Sequence, residues 1–252
     1  RIAPAIARAS KLFSERLKDP RKARDASDRL IPDVDGDGIA RADVIVEAIF
    51  ENVEAKRALF ASLEKRARRD AILATNTSSI PLEEIATALE DPSRLIGLHF
   101  FNPVRSMMLV EIVVGASTRA SLVAPAAAFV RQIDKLPLPV KSSPGFLVNR
   151  ILAPYLTAAF RAVDEGIAPE TVDEAALAFG MPMGPIELAD PVGLDICVAV
   201  GKLLGDGATA PRELMKHVDA GELGQKTGRG FYRYEAGKAV KSAAGQVPAG
   251  LA

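Results

Sequence analysis

Cysteine is nearly missing from this 252-residue chain, and the lone Cys197 excludes an internal disulfide and a thiolate metal cluster. A reducing compartment is the consistent setting. Net charge is missing as well: 32 lysines and arginines balance 32 aspartates and glutamates, so no overall field draws in nucleic acid or an anionic membrane. No apolar run approaches the length of a membrane span, and the charged, amphipathic N-terminus lacks the layout of a signal peptide. A cytoplasmic protein without nucleic-acid or membrane partners is therefore expected. There is no internal repeat, and there are only two histidines, His99 and His217. What the chain does have is a globular composition, 48% hydrophobic and 25% charged, enough for one large domain or two ordinary ones.

Hydrophobic spacing predicts the elements. Ile2, Ile6, Ala9, Phe13 and Leu17 recur at helical intervals, so residues 1–18 read as a surface helix with one buried stripe, stopped by Pro20. A second short helix passes through Arg24 and Leu30, and residues 31–38 carry turn chemistry. Strands are predicted over 43–49, 71–75, 94–100, 107–114 and 138–140, with helices over 53–65, 81–89 and 117–133 between them. Such alternation implies a parallel sheet with right-handed crossovers. From Lys141-Ser142-Ser143-Pro144-Gly145 onward the pattern is helical, opening with a long helix over 145–165 that Pro154 should kink. Thr171-Val172-Asp173-Glu174 reads as a capping box heading the next helix. The expected architecture is α/β: a parallel-sheet domain over 1–143, an all-helical domain over 144–236, and a linker or tail over 237–252.

The residues with chemistry cluster at predicted strand ends. His99-Phe100-Phe101-Asn102-Pro103 precedes an apolar strand that carries Glu111 on the same face as Leu109 and Val113, where an unpaired carboxylate is expensive. His99 is the obvious partner. A neutral imidazole can take a proton from a hydroxyl, and a carboxylate on its other nitrogen fixes the tautomer and stabilises the imidazolium. Glu51 and Asn52, residues 76–79, and His99 with Asn102 follow three successive strands, and open α/β sheets bind ligands beyond their carboxyl ends. Ser78 and the amide of Asn149 can serve the same substrate oxygen as charge develops on it.

Plainer readings stand beside these. His99 suits a structural role at a strand end, Ser78 and Ser79 suit caps for the helix near Pro81, and Asn149 suits a cross-link between helices. Glu51 and Lys56 suit a solvated helix face, and His217 reads as structural or exposed. Asp33, Asp35 and Asp37 before Gly38 match the opening of a calcium loop, but Arg41 and Val44 occupy its ninth and twelfth positions, so no metal site is expected.

Taken in order, six stretches resemble the 3-hydroxyacyl-CoA dehydrogenases over nearly the whole chain. They are residues 43–52 (DVIVEAIFEN), Asn76-Thr77-Ser78-Ser79, the segment from His99 to Glu111, Pro144-Gly145-Phe146-Leu147-Val148-Asn149-Arg150, Met183-Gly184-Pro185, and Lys226-Thr227-Gly228 with Gly230-Phe231-Tyr232. The resemblance implies a partial Rossmann-like NAD-binding domain, a helical dehydrogenase domain, NAD as cofactor, and oxidation of the 3-hydroxyl of an acyl-CoA in fatty-acid β-oxidation. It implies His99 as general base, Glu111 as its orienting partner, and Ser78 and Asn149 as holders of the substrate oxygen. It also implies dinucleotide contacts from Glu51, Lys56, Ser78, Asn102 and Lys226, and a CoA contact from Lys11 on the first helix.

One family feature is not found. The family begins with a strand and a Gly-x-Gly-x-x-Gly turn that receives the pyrophosphate at a helix N-terminus, whereas the only glycines here before Gly97 are Gly36 and Gly38. The sequence thus resembles a fragment of a multifunctional fatty-acid oxidation subunit, with an unpaired sheet edge, weak NAD binding and negligible turnover expected of it alone. Two other readings remain open. One is a non-catalytic assembly module that dimerises or docks through Ile151, Tyr155, Ala158 and Ala162. The other is a different two-domain NAD enzyme acting on a small hydroxy acid, which would share the architecture but not the setting of His99 and Glu111.

Overall fold

Residues 2–204 and 209–242 are described by the computed structural model of the chain. Two helices come first, α1 (Ala3–Arg16) and α2 (Pro20–Asp28); Pro20 opens α2 behind the Asp19 cap, whose carboxylate accepts the Arg21 N–H. They pack on each other and contain no buried residue, so the stripe read from Ile2 to Leu17 is only half covered.

A five-stranded sheet follows in simple chain order: β1 (Val44–Glu47), β2 (Ile72–Thr75), β3 (Leu95–Phe100), β4 (Leu109–Val114) and β5 (Leu136–Lys141). Between β1 and β3 the chain crosses over through α3 (Val53–Arg66) and α4 (Leu82–Ala86), and β1, β2 and β3 run parallel. The sheet is not parallel throughout, as the sequence pattern had implied. β4 runs antiparallel to β3, because residues 101–108 are too few for the crossover of about a dozen residues that a parallel strand needs. The chain then crosses through α5 (Val123–Gln132), and β5 lies parallel to β4. The predicted helix over 117–133 is shorter than expected, a 3-10 turn at Ala120–Leu122 leading into α5.

Period-two alternation sorts the strand residues between two apolar layers. Leu73, Leu95 and Val113 pack with Phe60, Leu63, Leu82 and Ile85 under α3 and α4, while Ala74, Leu98, Val110 and Ile112 pack with Ala126 and Val130 of α5.

The two sheet edges differ. The N–H groups of Leu136 and Ser142 bond carbonyls of Met108 and Val114 at 2.8 Å, which turns the alternate positions Pro137 and Pro139 outward, where neither has an N–H to offer. At the opposite edge, the carbonyls of Asp43 and Glu47 accept from Ile72 and Asn76, so the peptide groups of Val44 and Val46 face outward. No strand among the described residues pairs with them.

The remainder is helical: α6 (Val148–Asp164), α7 (Pro169–Phe179), α8 (Pro185–Val192), α9 (Leu194–Leu204) and α10 (Arg212–Asp219) surround Phe160, Ile186, Leu194, Leu214 and Tyr232. α6 is one helical span that includes Pro154. Thr171 does not cap α7, which starts two residues earlier at Pro169 behind Ala168; proline at the first helical position fixes the start. Three helices instead take their caps from distant carboxylates. Glu111 accepts from Leu147 and Val148 at α6, Asp173 from Ile186 and Glu187 at α8, and Asp164 from Arg212 and Glu213 at α10.

The expected linker after residue 236 also begins differently. β6 (Arg233–Glu235) and β7 (Lys238–Val240) form an antiparallel hairpin whose turn residues, Ala236 and Gly237, both have positive φ, as a two-residue primed turn requires. Lys241 then pairs with Glu187 at 2.7 Å, and the rest of the expected linker, 243–252, lies outside the described residues. No helix among the described residues is long and apolar enough to cross a membrane.

Candidate active site

β3 and β4 place His99 directly opposite Glu111. The register brings His99 Nδ1 to 2.7 Å from Glu111 Oε2, with Glu111 fully buried and His99 nearly so. The other carboxylate oxygen, Oε1, accepts the backbone N–H groups of Leu147 at 3.0 Å and Val148 at 2.9 Å. These are orphan donors at the start of α6, where the helix dipole favours a negative charge. A carboxylate inside an apolar strand is thus fully satisfied: one oxygen by the imidazole, one by a helix N-terminus. No hydrogen bond among the described residues uses His99 Nε2. Phe101 and Phe146 flank the ring, their centroids 4.5 and 5.6 Å away.

Gly97, two positions before His99, is fixed by close approach: a Cβ there would lie 2.6 Å from Val113 Cβ across the strand pair. Any larger residue would spread β3 from β4 just where the histidine meets its carboxylate.

A second polar cluster occupies the carboxyl ends of β1 and β2. Lys56, on the first turn of α3, is completely buried and donates to Glu47 Oε1 at 2.7 Å; Glu51 Oε2 lies 3.5 Å away. Glu47 also accepts from Thr75 Oγ1 at 2.7 Å and the Ile49 N–H at 2.6 Å. A solvated helix face is therefore the wrong description of Lys56. Its ammonium stays paired because leaving it buried alone would be prohibitive.

Glu51 Oε1 gathers the Thr77 hydroxyl, the Ser78 and Ser79 N–H groups at 3.0 and 3.1 Å, and the Ser79 hydroxyl at 3.0 Å. Burial pushes the Glu51 carboxyl up, but these hydrogen bonds and the Lys56 charge outweigh it and hold the group below its ordinary value. Ser78 and Ser79 do not cap α4, which starts at Leu82 without a side-chain cap; the carboxylate of Glu51 competes for them and wins. Thr77 takes the local turn role, its hydroxyl accepting from the Ile80 N–H at 3.0 Å.

Asn149, on the first turn of α6, donates to the Ser78 carbonyl at 3.4 Å. The helix whose N-terminus holds Glu111 thereby also reaches the loop after β2. Four of the sequence-nominated residues, His99, Glu111, Ser78 and Asn149, are linked in this way. Asn102 is exposed in the loop after β3, while Asn76 ties that loop down by accepting the Phe100 N–H at 2.9 Å.

Two nominated residues lie apart. Lys11 is exposed on α1 and pairs with Glu15 at 3.9 Å. Lys226 pairs with Asp195 of α9 at 2.5 and 2.7 Å, and no hydrogen bond or ion pair among the described residues joins it to Glu51, Lys56, Ser78 or Asn102. The glycines and aromatics that follow Lys226 have a structural task. Buried Asp190 accepts the Phe231 and Tyr232 N–H groups at 3.0 and 2.9 Å, the Tyr232 hydroxyl donates to Asp173 at 2.8 Å, and a Cβ on Gly230 would collide with Asp190. His217 pairs with Glu222 at 2.6 Å in the same helical unit, in keeping with its plainer reading.

Sequence reasoning missed Glu47 and Thr75, and it placed Asn76 and Thr77 at the strand ends without giving either a role of its own. A glutamate at the inner end of a short apolar strand, Glu47, was the available signal, since it demands a cation just as Glu111 demands an imidazole. The donor set at the strand ends suits the neutral parts of a dinucleotide: hydroxyls, an amide and a half-exposed carboxylate can bond ribose hydroxyls and a carboxamide. It does not suit the pyrophosphate, because Lys56 is neutralised internally. Gly36 and Gly38 do not help, since their N–H groups serve the Asp33 carboxylate in a turn at 2.8 Å each. That same capture of both Asp33 oxygens by backbone amides gives the calcium-like sequence its structural role.

Comparison with known proteins agrees with this architecture. Residues 2–143 match the family described as 3-hydroxyacyl-CoA dehydrogenase, NAD binding domain, and residues 145–234 match the 3-hydroxyacyl-CoA dehydrogenase C-terminal domain. A probable 3-hydroxybutyryl-CoA dehydrogenase of Bacillus subtilis is 43% identical over 201 residues, covering 77% of this chain and 70% of that protein. The fatty acid oxidation complex subunit alpha of Idiomarina loihiensis is 41% identical over 212 residues, covering 82% of this chain; the chain spans 30% of that protein's length. Among solved structures, 3-hydroxybutyryl-CoA dehydrogenase from Escherichia coli K12 superposes with a TM-score of 0.87 at 35% identity, covering 98% of this chain and 55% of that one. With both parts of the family matched in order along the chain, this protein belongs to the 3-hydroxyacyl-CoA dehydrogenases, oxidoreductases with an NAD-binding domain.

Proposed function

We propose that this chain carries the reaction centre for NAD-dependent oxidation of (S)-3-hydroxyacyl-CoA to 3-oxoacyl-CoA in fatty-acid β-oxidation. The observation that carries the reading is the 2.7 Å contact between His99 Nδ1 and a Glu111 carboxylate that is itself immobilised by two backbone amides. Because Glu111 accepts at Nδ1, that nitrogen keeps its proton and the Nε2 lone pair is left to face the substrate. His99 Nε2 takes the proton of the 3-hydroxyl, and Glu111 stabilises the imidazolium that results. Ser78 and Asn149 hold the substrate oxygen as it becomes a carbonyl. Bound NAD supplies the acceptor for the hydride that leaves carbon 3.

Around the cofactor, Glu51, Ser78 and Asn102 hold neutral polar groups. Lys56 acts one step back by fixing Glu51, and Lys226 contributes from the helical unit. Lys11, exposed on α1, offers the charge that suits the phosphates of CoA. A homodimer or a larger multifunctional subunit is the proposed setting, supported by exposed Ile151 on α6 and by the size of the fatty acid oxidation subunits to which the chain is similar.

The experiment is NADH consumption with acetoacetyl-CoA by the full-length protein, wild type against His99→Gln. Turnover is expected to fall by about 100-fold or more, the range of general acid–base catalysis, with little change in stability. An unchanged rate would remove His99 from the mechanism. For the 252 residues alone we propose weak NAD binding, because no glycine-rich turn among the described residues receives a pyrophosphate. A fluorescence titration giving micromolar NADH affinity for this polypeptide would contradict that.

A further inference from the structure

Phe146 is a bulky residue in a backbone conformation that bulky residues avoid. Its φ is 51°, directly after Gly145 at 69°, so two successive left-handed residues lie between the sheet unit and α6. Its N–H closes the turn onto the Ser143 carbonyl at 2.9 Å. The side chain is 1% exposed and packs among Phe60, Leu82, Leu95 and Val113, in the core of the sheet unit, although the chain at this point is entering the helical one. The next two residues, Leu147 and Val148, supply the N–H groups that hold Glu111, and the ring itself stands 5.6 Å from the imidazole.

We infer that Phe146 is a positioning residue for the base. Its left-handed backbone turns two amides onto Glu111, while its buried ring anchors that turn to the sheet and walls one side of His99. A strained conformation at a buried aromatic persists only where surrounding contacts over-determine it, and here those contacts converge on the imidazole and its carboxylate. The inference rests on the reading of His99 as the base, and it makes the entry to the helical unit part of the acid–base apparatus.

Two substitutions separate backbone from ring. Phe146→Gly accepts positive φ and removes the ring; Phe146→Ile keeps apolar bulk but opposes positive φ through its branched Cβ. The readout is nitrogen-15 NMR of the histidine side chains, which needs neither cofactor nor substrate. With two histidines in the chain, His217 serves as the internal control. In the wild type, His99 should show one tautomer with a slowly exchanging Nδ1 proton. In Phe146→Gly the tautomer should persist while that proton exchanges with water about tenfold faster or more. In Phe146→Ile the His99 nitrogens should move toward averaged shifts as Glu111 loosens, with His217 unmoved in both. Circular dichroism shows which variants fold, and if Phe146→Ile does not, the glycine variant decides alone. Unchanged His99 signals in a folded variant, or equal changes at His217, would reduce Phe146 to ordinary core packing. Because no turnover is measured, an inactive chain would sink the proposed function without touching this result, and the reverse also holds.

Discussion

Glu111→Gln is nearly isosteric, and the structure dictates which way the new amide must point. With its oxygen toward His99, the NH2 group would face the Leu147 and Val148 N–H groups. Two part-buried backbone donors would then lose the acceptor they share, at up to about 1–3 kcal/mol each, or about 2–6 kcal/mol together. With its oxygen toward the two amides, the NH2 group faces Nδ1 and one hydrogen bond to the ring survives, provided the ring gives up its Nδ1 proton. The second arrangement wins by the larger part of that sum. The imidazole must then carry its proton on Nε2, where a base needs a lone pair. Turnover should fall by about 10,000-fold, the loss seen when a carboxylate-held catalytic imidazole is forced into the wrong tautomer. Stability should fall by only about 1.5–3 kcal/mol, the worth of a hydrogen bond made to a charged group. Two assays check this: acetoacetyl-CoA reduction by the full-length protein, and the nitrogen-15 shifts of His99, whose two nitrogens should exchange character. A His99 that keeps its proton on Nδ1 in the variant would show that the Leu147 and Val148 amides do not dominate, and the reasoning would fail.

Further outcomes follow from other sites. Gly97→Ala should destabilise the fold by about 1–3 kcal/mol, read from urea midpoints, because the new Cβ would sit 2.6 Å from Val113 Cβ; an unchanged midpoint would mean that β3 and β4 part without cost. The Cys197 thiol is pushed up to about 12, chiefly by burial. Ellman's reagent at mild alkaline pH should therefore label the folded chain far more slowly than the unfolded one, and equal rates would place the thiol at the surface. Glu51 is held below its ordinary 4.5, so its contribution is complete above that value and lost as pH falls through the lower folded value. The stability gap between wild type and Glu51→Gln should be widest near neutrality and narrow as the carboxylate is protonated in acid; a gap that does not depend on pH would mean the carboxylate's charge is not what stabilises the loop.

Short-range pattern made some of this protein readable from sequence. A glutamate in an apolar strand announces a buried partner, and with His217 in a charged helix, His99 was the candidate to supply it. The strand and helix alternation around them follows from periodicity alone. What stayed hidden depends on partners far apart in the chain. Nothing near Ser78 and Ser79 says that Glu51 takes their N–H groups in place of a helix cap. Nothing near Lys56 says that Glu47 and Glu51 bury it. The starts of α6, α8 and α10 carry no capping residue of their own, because Glu111, Asp173 and Asp164 do that work from distant segments. The antiparallel β4 was hidden for a different reason: direction is set by the short stretch 101–108, whereas the strand residues suit either sense. In the final hairpin, alanine at a positive φ gave no turn signal.

The prolines at positions 137 and 139 have a further effect on how molecules of this kind can join. Among the described residues the β5 flank has lost two outward donors whereas Val44 and Val46 of β1 keep theirs, so strand-to-strand docking between two copies of this sheet would use β1 of both and leave the blunted flanks outside. Such docking stops at a pair. Side-by-side stacking of intact sheets is opposed at the β5 flank by two ring nitrogens that carry no hydrogen.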